Sequence, residues 1–121
     1  LVRPYLVKAI DGKDITKYQR KIISLEIEGE TLQIIKKALR GVIVEEDGTA
    51  SFLSELSISV AGKTGTAQVP QGEPHGWFVG FFPYENPKYV ICIILENAGA
   101  GYFSAQLAKE IIKKMQEEGL L

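Results

Sequence analysis

Lys63, Thr64, Gly65 and Thr66 stand together in AGKTGTAQVP, Ala61 to Pro70, and the run GKTGT suits two unrelated chemistries. One is phosphate binding, which requires GxxxxGK[ST]: a glycine-rich loop around phosphate oxygens, and a helix beginning at the lysine so that its free N–H groups face the anion. Here the residue five places before Gly62 is Ser57, and Lys63 is followed by Thr64, Gly65, Thr66, Val69 and Pro70, a poor helix start. The other is acyl transfer with KTG lying on a strand. A lysine there supplies fixed positive charge beside a nucleophile, strand hydroxyls hold a substrate carboxylate, and a glycine without Cβ lets a peptide lie against the backbone. Such a peptide would be held by strand addition along an exposed sheet edge.

The remaining chemically capable side chains are sparse. His75 is the only histidine, so no Ser/His/Asp arrangement can be argued from it, and it is expected to order the turn before the WFVGF strand. Cys92 cannot form an internal disulfide, and its place in VICIIL predicts a buried, inert thiol. Trp77 and Phe78 are expected in the core, and Gly80 at a close-packing position opposite the KTG strand. The Lys and Glu residues between Lys109 and Glu118 read as a solvated helix face.

Composition limits what these residues can serve. With 121 residues, 45% of them hydrophobic, the chain fits one folded domain. Fourteen basic residues against 15 acidic ones, spread along the chain, give no electrostatic reason for a nucleic-acid or anionic-membrane partner. The apolar runs are much shorter than the roughly 20 residues that cross a bilayer, and LVRPYLVK lacks signal-peptide architecture. Leu1 is the first residue and Met115 the only methionine, from which we expect a piece of a longer polypeptide.

The elements that must carry GKTGT follow from periodicity. Tyr5 to Ile10 reads as a strand before an Asp11-Gly12 turn and a polar loop, and ISLEIE at Ile23 to Glu28 as a second short strand. From Thr31, a candidate N-cap, Leu32, Ile35, Leu39 and Val42 recur at helical spacing, with Lys36, Lys37 and Arg40 turned to water. The acidic turn Glu45 to Gly48 ends that helix, with Gly48 expected to take a positive φ. Ser57 to Val69 reads as a strand; Gly76 to Pro83 and Tyr89 to Glu96 read as interior strands covered on each side and joined through PYENP as an antiparallel hairpin. Ser104 is the expected N-cap of a last helix whose stripe is Leu107, Ala108, Ile111, Ile112 and Met115, closed by Gly119. The fold class is α+β: an antiparallel sheet of at least three strands with flanking helices.

AGKTGTAQ, then HGWFVGFFPYENPKYVICIILEN, then a small-residue linker and an amphipathic helix, all in this order, closely resemble the C-terminal end of class B penicillin-binding proteins, the elongation type most nearly. LRGVIVEEDGTA resembles the segment that precedes the KTG strand in that family; the likeness runs from Thr31 to Gly119, with residues 1–30 matched loosely. It implies a portion of the penicillin-binding protein transpeptidase and serine β-lactamase-like fold. The activity implied is that of a D,D-transpeptidase, which cross-links peptidoglycan stem peptides ending in D-Ala-D-Ala through a serine acyl-enzyme and is acylated by β-lactams, without a cofactor or metal.

By this resemblance Lys63 contributes charge beside the serine hydroxyl, Thr64, Gly65 and Thr66 bind substrate, and the Thr66 backbone N–H is similar to the oxyanion-hole donor. Strict alternation sends Lys63 the other way from the two threonines, and the sequence leaves that open. The family's nucleophile belongs to an SxxK motif, and a second motif, SxN, lines the opposite wall of the cleft. Ser24, Ser51, Ser54, Ser57, Ser59 and Ser104 are followed three places on by Ile27, Ser54, Ser57, Val60, Gly62 and Leu107, so no SxxK occurs; no SxN occurs either. The chain is expected to be the C-terminal third of a transpeptidase domain, inactive alone and completed by the rest of that domain. The parent protein would be anchored in the cytoplasmic membrane with this domain outside, and a sheet edge left unpaired would favour self-association. Two rival readings stand beside it: a non-catalytic penicillin-binding-like module, and a serine β-lactamase-type hydrolase.

Overall fold

The computed structural model describes residues 7–15 and 26–121. Two compact units divide at the start of the long helix, Leu1–Leu32 and Gln33–Leu121. In the first, β1 (Ala9–Ile10) pairs antiparallel with β2 (Lys13–Asp14), Ala9 opposite Asp14 and Ile10 opposite Lys13. Asp11 and Gly12 between them have φ of 48° and 74°, the left-handed pair that matches the twist of a two-residue hairpin. The Asp-Gly turn is thus where the sequence puts it, but the polar stretch after it contains a strand. At two residues long, β2 has no alternation to read. The Tyr5–Leu6 part of the first expected strand and Ile23–Leu25 of the second lie outside the described residues, and Glu26–Glu28 are not strand.

Helix α1 spans Gly29–Val44, beginning two residues before Thr31. Leu32 N–H already donates to Glu28 C=O at 3.1 Å, so Thr31 sits in the first turn and caps nothing. Of the expected stripe, Leu39 and Val42 are half-buried while Leu32 and Ile35 are exposed; Ile43 is the helix's buried residue. Nor do all its cations face only water. Lys36 Nζ and Arg40 Cζ lie 5.3 and 5.9 Å from the Tyr84 ring centroid, and Arg40 donates to Val60 C=O. Beside them Ser59 Oγ donates to the Glu85 carboxylate, the main cause holding that carboxyl below its ordinary range; the Glu85 backbone, Arg40 and Lys36 add to it. Gly48 is not in the left-handed region; a Cβ there would stand 2.4 Å from Val42 O, so close packing against the helix end is what requires glycine.

A 3-10 helix at Ser51–Glu55 precedes the KTG strand and drives Leu53 into the core, and of the strand expected over Ser57 to Val69 the first four and last two residues are not strand. The strand itself, β3, is Ala61–Ala67. With β4 (His75–Phe82) and β5 (Tyr89–Leu95) it forms an antiparallel sheet of order β3-β4-β5, in which Lys63 faces Val79, Thr64 faces Phe78, Gly65 faces Trp77 and Thr66 faces Gly76. The expected hairpin is present, its turn entered through a cis Phe82–Pro83 peptide.

Neither hairpin strand is covered on each side. Phe78 and Phe82 point into a core shared with Ile43, Ala50, Leu53, Val60, Ala105, Ala108 and Ile112, whereas the opposite parity carries Trp77 (39% exposed), Val79 and, on β5, Val90 (78% exposed). Cys92, opposite Val79, shares that open face and is exposed, contrary to a buried thiol. Apolar content alone could not separate one buried face from two, because these strands are apolar at both parities. Phe78 finds its space over two glycines: a Cβ on Gly62 or Gly80 would lie 2.8 or 3.0 Å from its ring, which is the close packing expected of Gly80.

Helix α2, Gly101–Glu117, covers the core face of the sheet with Ser104, Ala105, Ala108 and Ile112. It ends as expected: Gly119 has φ 68°, its N–H bonds Gln116 C=O at 3.1 Å, and Leu120 N–H bonds Met115 C=O at 2.9 Å, a Schellman closure. Most of its Lys and Glu side chains are exposed, but Lys109 is half-buried and pairs with Glu55 at 2.7 Å. The N-cap is Ala100, four residues before Ser104 and in extended conformation, with the helix beginning at Gly101. Ser104 is fully buried, its Oγ without a hydrogen-bond partner among the described residues. Loss of a capping serine costs about 0.5–2 kcal/mol, whereas removing an unsatisfied buried hydroxyl relieves a desolvation cost of about 1–3 kcal/mol. Ser104→Ala is therefore expected to raise the midpoint of urea unfolding, and a lowered midpoint would restore the capping role.

Candidate functional site

Strand β3 forms one side of the sheet, and its outer edge has no neighbouring strand among the described residues. The KTG residues lie on that open edge, between the end of α1 and the start of α2. Register resolves how they are divided. Lys63 and Gly65 share the parity of Val79 and Trp77 on the open face, and Thr64 and Thr66 share that of Phe78 and Gly76 on the helix-covered face. Lys63 does leave in the opposite direction from the threonines. Its long flexible stem then turns back, so that Nζ donates to Thr64 C=O at 3.0 Å and the charge sits beside the strand edge.

Each threonine hydroxyl has a partner from another part of the chain. Thr64 Oγ1 lies 2.8 Å from Thr49 Oγ1, in the loop after α1. Thr66 Oγ1 accepts the backbone N–H of Gly101 at 3.3 Å, the first residue of α2. That contact depends on a bare backbone: a Cβ on Gly101 would stand 2.4 Å from Gly65 O and 2.7 Å from Trp77 O. At Gly65 a Cβ would meet only Trp77 Cβ at 3.5 Å, an ordinary contact, so packing within the chain does not demand glycine there. Its missing side chain instead leaves the backbone open on the side facing solvent.

An open cavity of about 400 Å³ lies against this edge, lined by Lys63, Thr49, Gly48, Asp47, Glu45 and Gly41 among others. Of the KTG residues it takes in Lys63, which it sets with the carboxylates of Glu45 and Asp47. The structure therefore brings Lys63, Thr64, Gly65 and Thr66 together and adds Thr49 and Gly101. Neither addition was singled out in the sequence. The signal for Thr49 was its place in EEDGTA, a polar residue between a tight glycine and a small one; Gly101 was hidden among the glycines and alanines of NAGAG.

The other candidates lie on the neighbouring strand β4 and have different surroundings. His75 Nδ1 accepts Asn97 N–H at 3.0 Å, so it orders the loop after β5 instead of the turn before β4. Trp77 is on the uncovered sheet face and outside the core, whereas Phe78 is a core residue as expected. Among the described residues no group of three or more His, Cys, Asp or Glu is placed to hold a metal ion, and no helix is long and apolar enough to cross a membrane.

Comparison with known proteins accords with this geometry. The family model described as the penicillin-binding protein transpeptidase domain matches residues 1–117. Peptidoglycan D,D-transpeptidase MrdA of Haemophilus influenzae is 33% identical over 129 residues, covering 90% of this chain and 20% of the relative. Penicillin-binding protein 3 of Bacillus subtilis is 31% identical over 119 residues, covering 91% of this chain and 17% of the relative. Among solved structures, penicillin-binding protein PBP2 from Helicobacter pylori superimposes with a TM-score of 0.74 at 30% identity, over 90% of this chain and 21% of that one. The chain thus spans about a fifth of the length of the relatives it matches. An α+β arrangement with the KTG strand on an open edge, and a family match along nearly its whole length, establish that this chain belongs to the penicillin-binding protein transpeptidase domain family.

Proposed function

We propose that this chain forms the C-terminal portion of a peptidoglycan D,D-transpeptidase and supplies one wall of its acyl-transfer cleft. In this reading the nucleophilic serine of SxxK and the SxN motif belong to another segment of the domain, since neither motif occurs among residues 1–121. Lys63 places positive charge next to that serine and favours the developing alkoxide. A stem peptide ending in D-Ala-D-Ala, or a β-lactam in its place, lies along the outer edge of β3 over Gly65. Thr64 and Thr66 hydroxyls take its carboxylate, and the Thr66 backbone N–H stabilises the tetrahedral oxyanion. The whole protein is anchored in the cytoplasmic membrane with this domain on the outer side.

The observation that carries the reading is the geometry of Lys63 through Thr66 on an unpaired strand edge, with Nζ brought back to that edge and both hydroxyls braced. Intact-mass analysis after incubation with a β-lactam tests it. The 121-residue chain alone is expected to show no acyl adduct, and the full-length protein containing it one adduct per molecule. Lys63→Ala in the full-length protein is expected to slow acylation by about 10²–10³, the scale for loss of one electrostatic contact to a developing oxyanion. An adduct on any of the six serines of the isolated chain, or an unaffected Lys63→Ala rate, would contradict the assignment.

A strand edge with no neighbouring strand among the described residues, next to an exposed apolar sheet face, also favours pairing with a second copy when this chain is isolated. Sedimentation equilibrium at high concentration is expected to report a mass above the monomer. A monomer at all concentrations tested would remove self-association from the account.

A further inference from the structure

We propose that Thr49 is a positioning residue of this cleft, donating its hydroxyl proton to Thr64 Oγ1 so that the Thr64 proton is turned toward the carboxylate of the bound ligand. This rests on the reading of Thr64 given above. A hydroxyl has one proton to give and two lone pairs, while an ionised carboxylate can only accept. If Thr64 is to serve a carboxylate it must donate to it, and its contact with Thr49 at 2.8 Å must then run from Thr49 to Thr64. Thr66 shows the same economy by necessity: Gly101 N–H can only donate, so Thr66 Oγ1 accepts at 3.3 Å and its own proton stays available. Two neighbouring hydroxyls on one strand parity are thus each supplied with an intrachain donor. Both protons are left for an acceptor outside the chain.

Thr49 is well placed for this because its backbone has little freedom. Before it, Gly48 packs so closely that a Cβ would stand 2.4 Å from Val42 O. After it, Ala50 is fully buried and its N–H bonds Val42 C=O at 3.2 Å, while Ser51 N–H bonds Gly48 C=O at 3.0 Å. The Thr49 hydroxyl is therefore presented from a fixed loop, and Thr49 lines the same cavity as Lys63.

The test compares benzylpenicillin with its methyl ester as acylating agents of the full-length protein containing this chain. Thr49→Val, close in shape but without the hydroxyl, is expected to lower the second-order acylation rate for benzylpenicillin about tenfold, the scale of one hydrogen bond to a charged group. For the ester, whose carbonyl carries no charge, the loss is expected to be under about twofold. Thr49→Ser is expected to restore the rate, and Thr49→Val made on Thr64→Val is expected to add no further loss. Should Thr49→Val fail to fold, Thr49→Ala gives the same comparison. An equal loss for acid and ester, no loss for either, or a full additional loss on Thr64→Val would overturn the proposal. Failure of the unsubstituted protein to react with benzylpenicillin would instead overturn the transpeptidase reading, and this inference with it.

Discussion

The contact on which the site depends is the seating of the first turn of α2 on the backbone of β3 and β4. Gly101 stands so close to the strands that any side chain would collide with Gly65 O, Gly65 N or Trp77 O. Backbone approach at this distance lets the first N–H of α2 reach Thr66 Oγ1, tying a helix terminus to the strand carrying KTG. The same seating brings Ala105, Ala108 and Ile112 over Phe78 and Phe82, so the main core and the candidate site are set by one interface. Small residues on the helix and an aromatic pair on the sheet make it tight. A change that lifted α2 by a methyl group would open the core and misalign Thr66 together.

Around that seat the chain divides its polar work between two sides of β3. The loop after α1 braces Thr64 through Thr49, the start of α2 braces Thr66, and Lys63 reaches the edge from the open face by folding back over its own strand. Side chains of opposite parity can therefore reach one strand edge. Alternation governs Cβ directions, but a four-carbon side chain can return to an edge that a threonine hydroxyl reaches directly. The outer edge of β3 is left with backbone to offer, a use consistent with extended-peptide binding.

Much of this was legible in the residues. Asp11-Gly12, the PYENP reversal and the Gly119 closure are local chemistry, fixed by which residues tolerate left-handed φ or stop a ladder, and the structure has all three. The apolar runs of β4 and β5 mark strands but not their burial, since Trp77, Val79 and Val90 are as apolar as Phe78 while facing away from the core. Cys92 is exposed for the same reason, lying at the parity of Val79 in an equally apolar run. Thr31 and Ser104 are typical cap residues, but each lies within the first turn or so of a helix that begins at a glycine two or three residues earlier. The KTG residues are proposed from their order alone, whereas Thr49 and Gly101 come into view only through tertiary contacts with Thr64 and Thr66.

The central claim is that the β3 edge, braced by Thr49 and Gly101, is where a ligand's carboxylate is held during acyl transfer. A crystal structure of the full-length protein acylated by a β-lactam tests it most directly. The account predicts the ligand carboxylate within hydrogen-bond distance of Thr64 Oγ1 and Thr66 Oγ1, with its former lactam carbonyl oxygen on the Thr66 backbone N–H. A covalent adduct whose carboxylate is held by other elements, with the edge of β3 unoccupied, would contradict it.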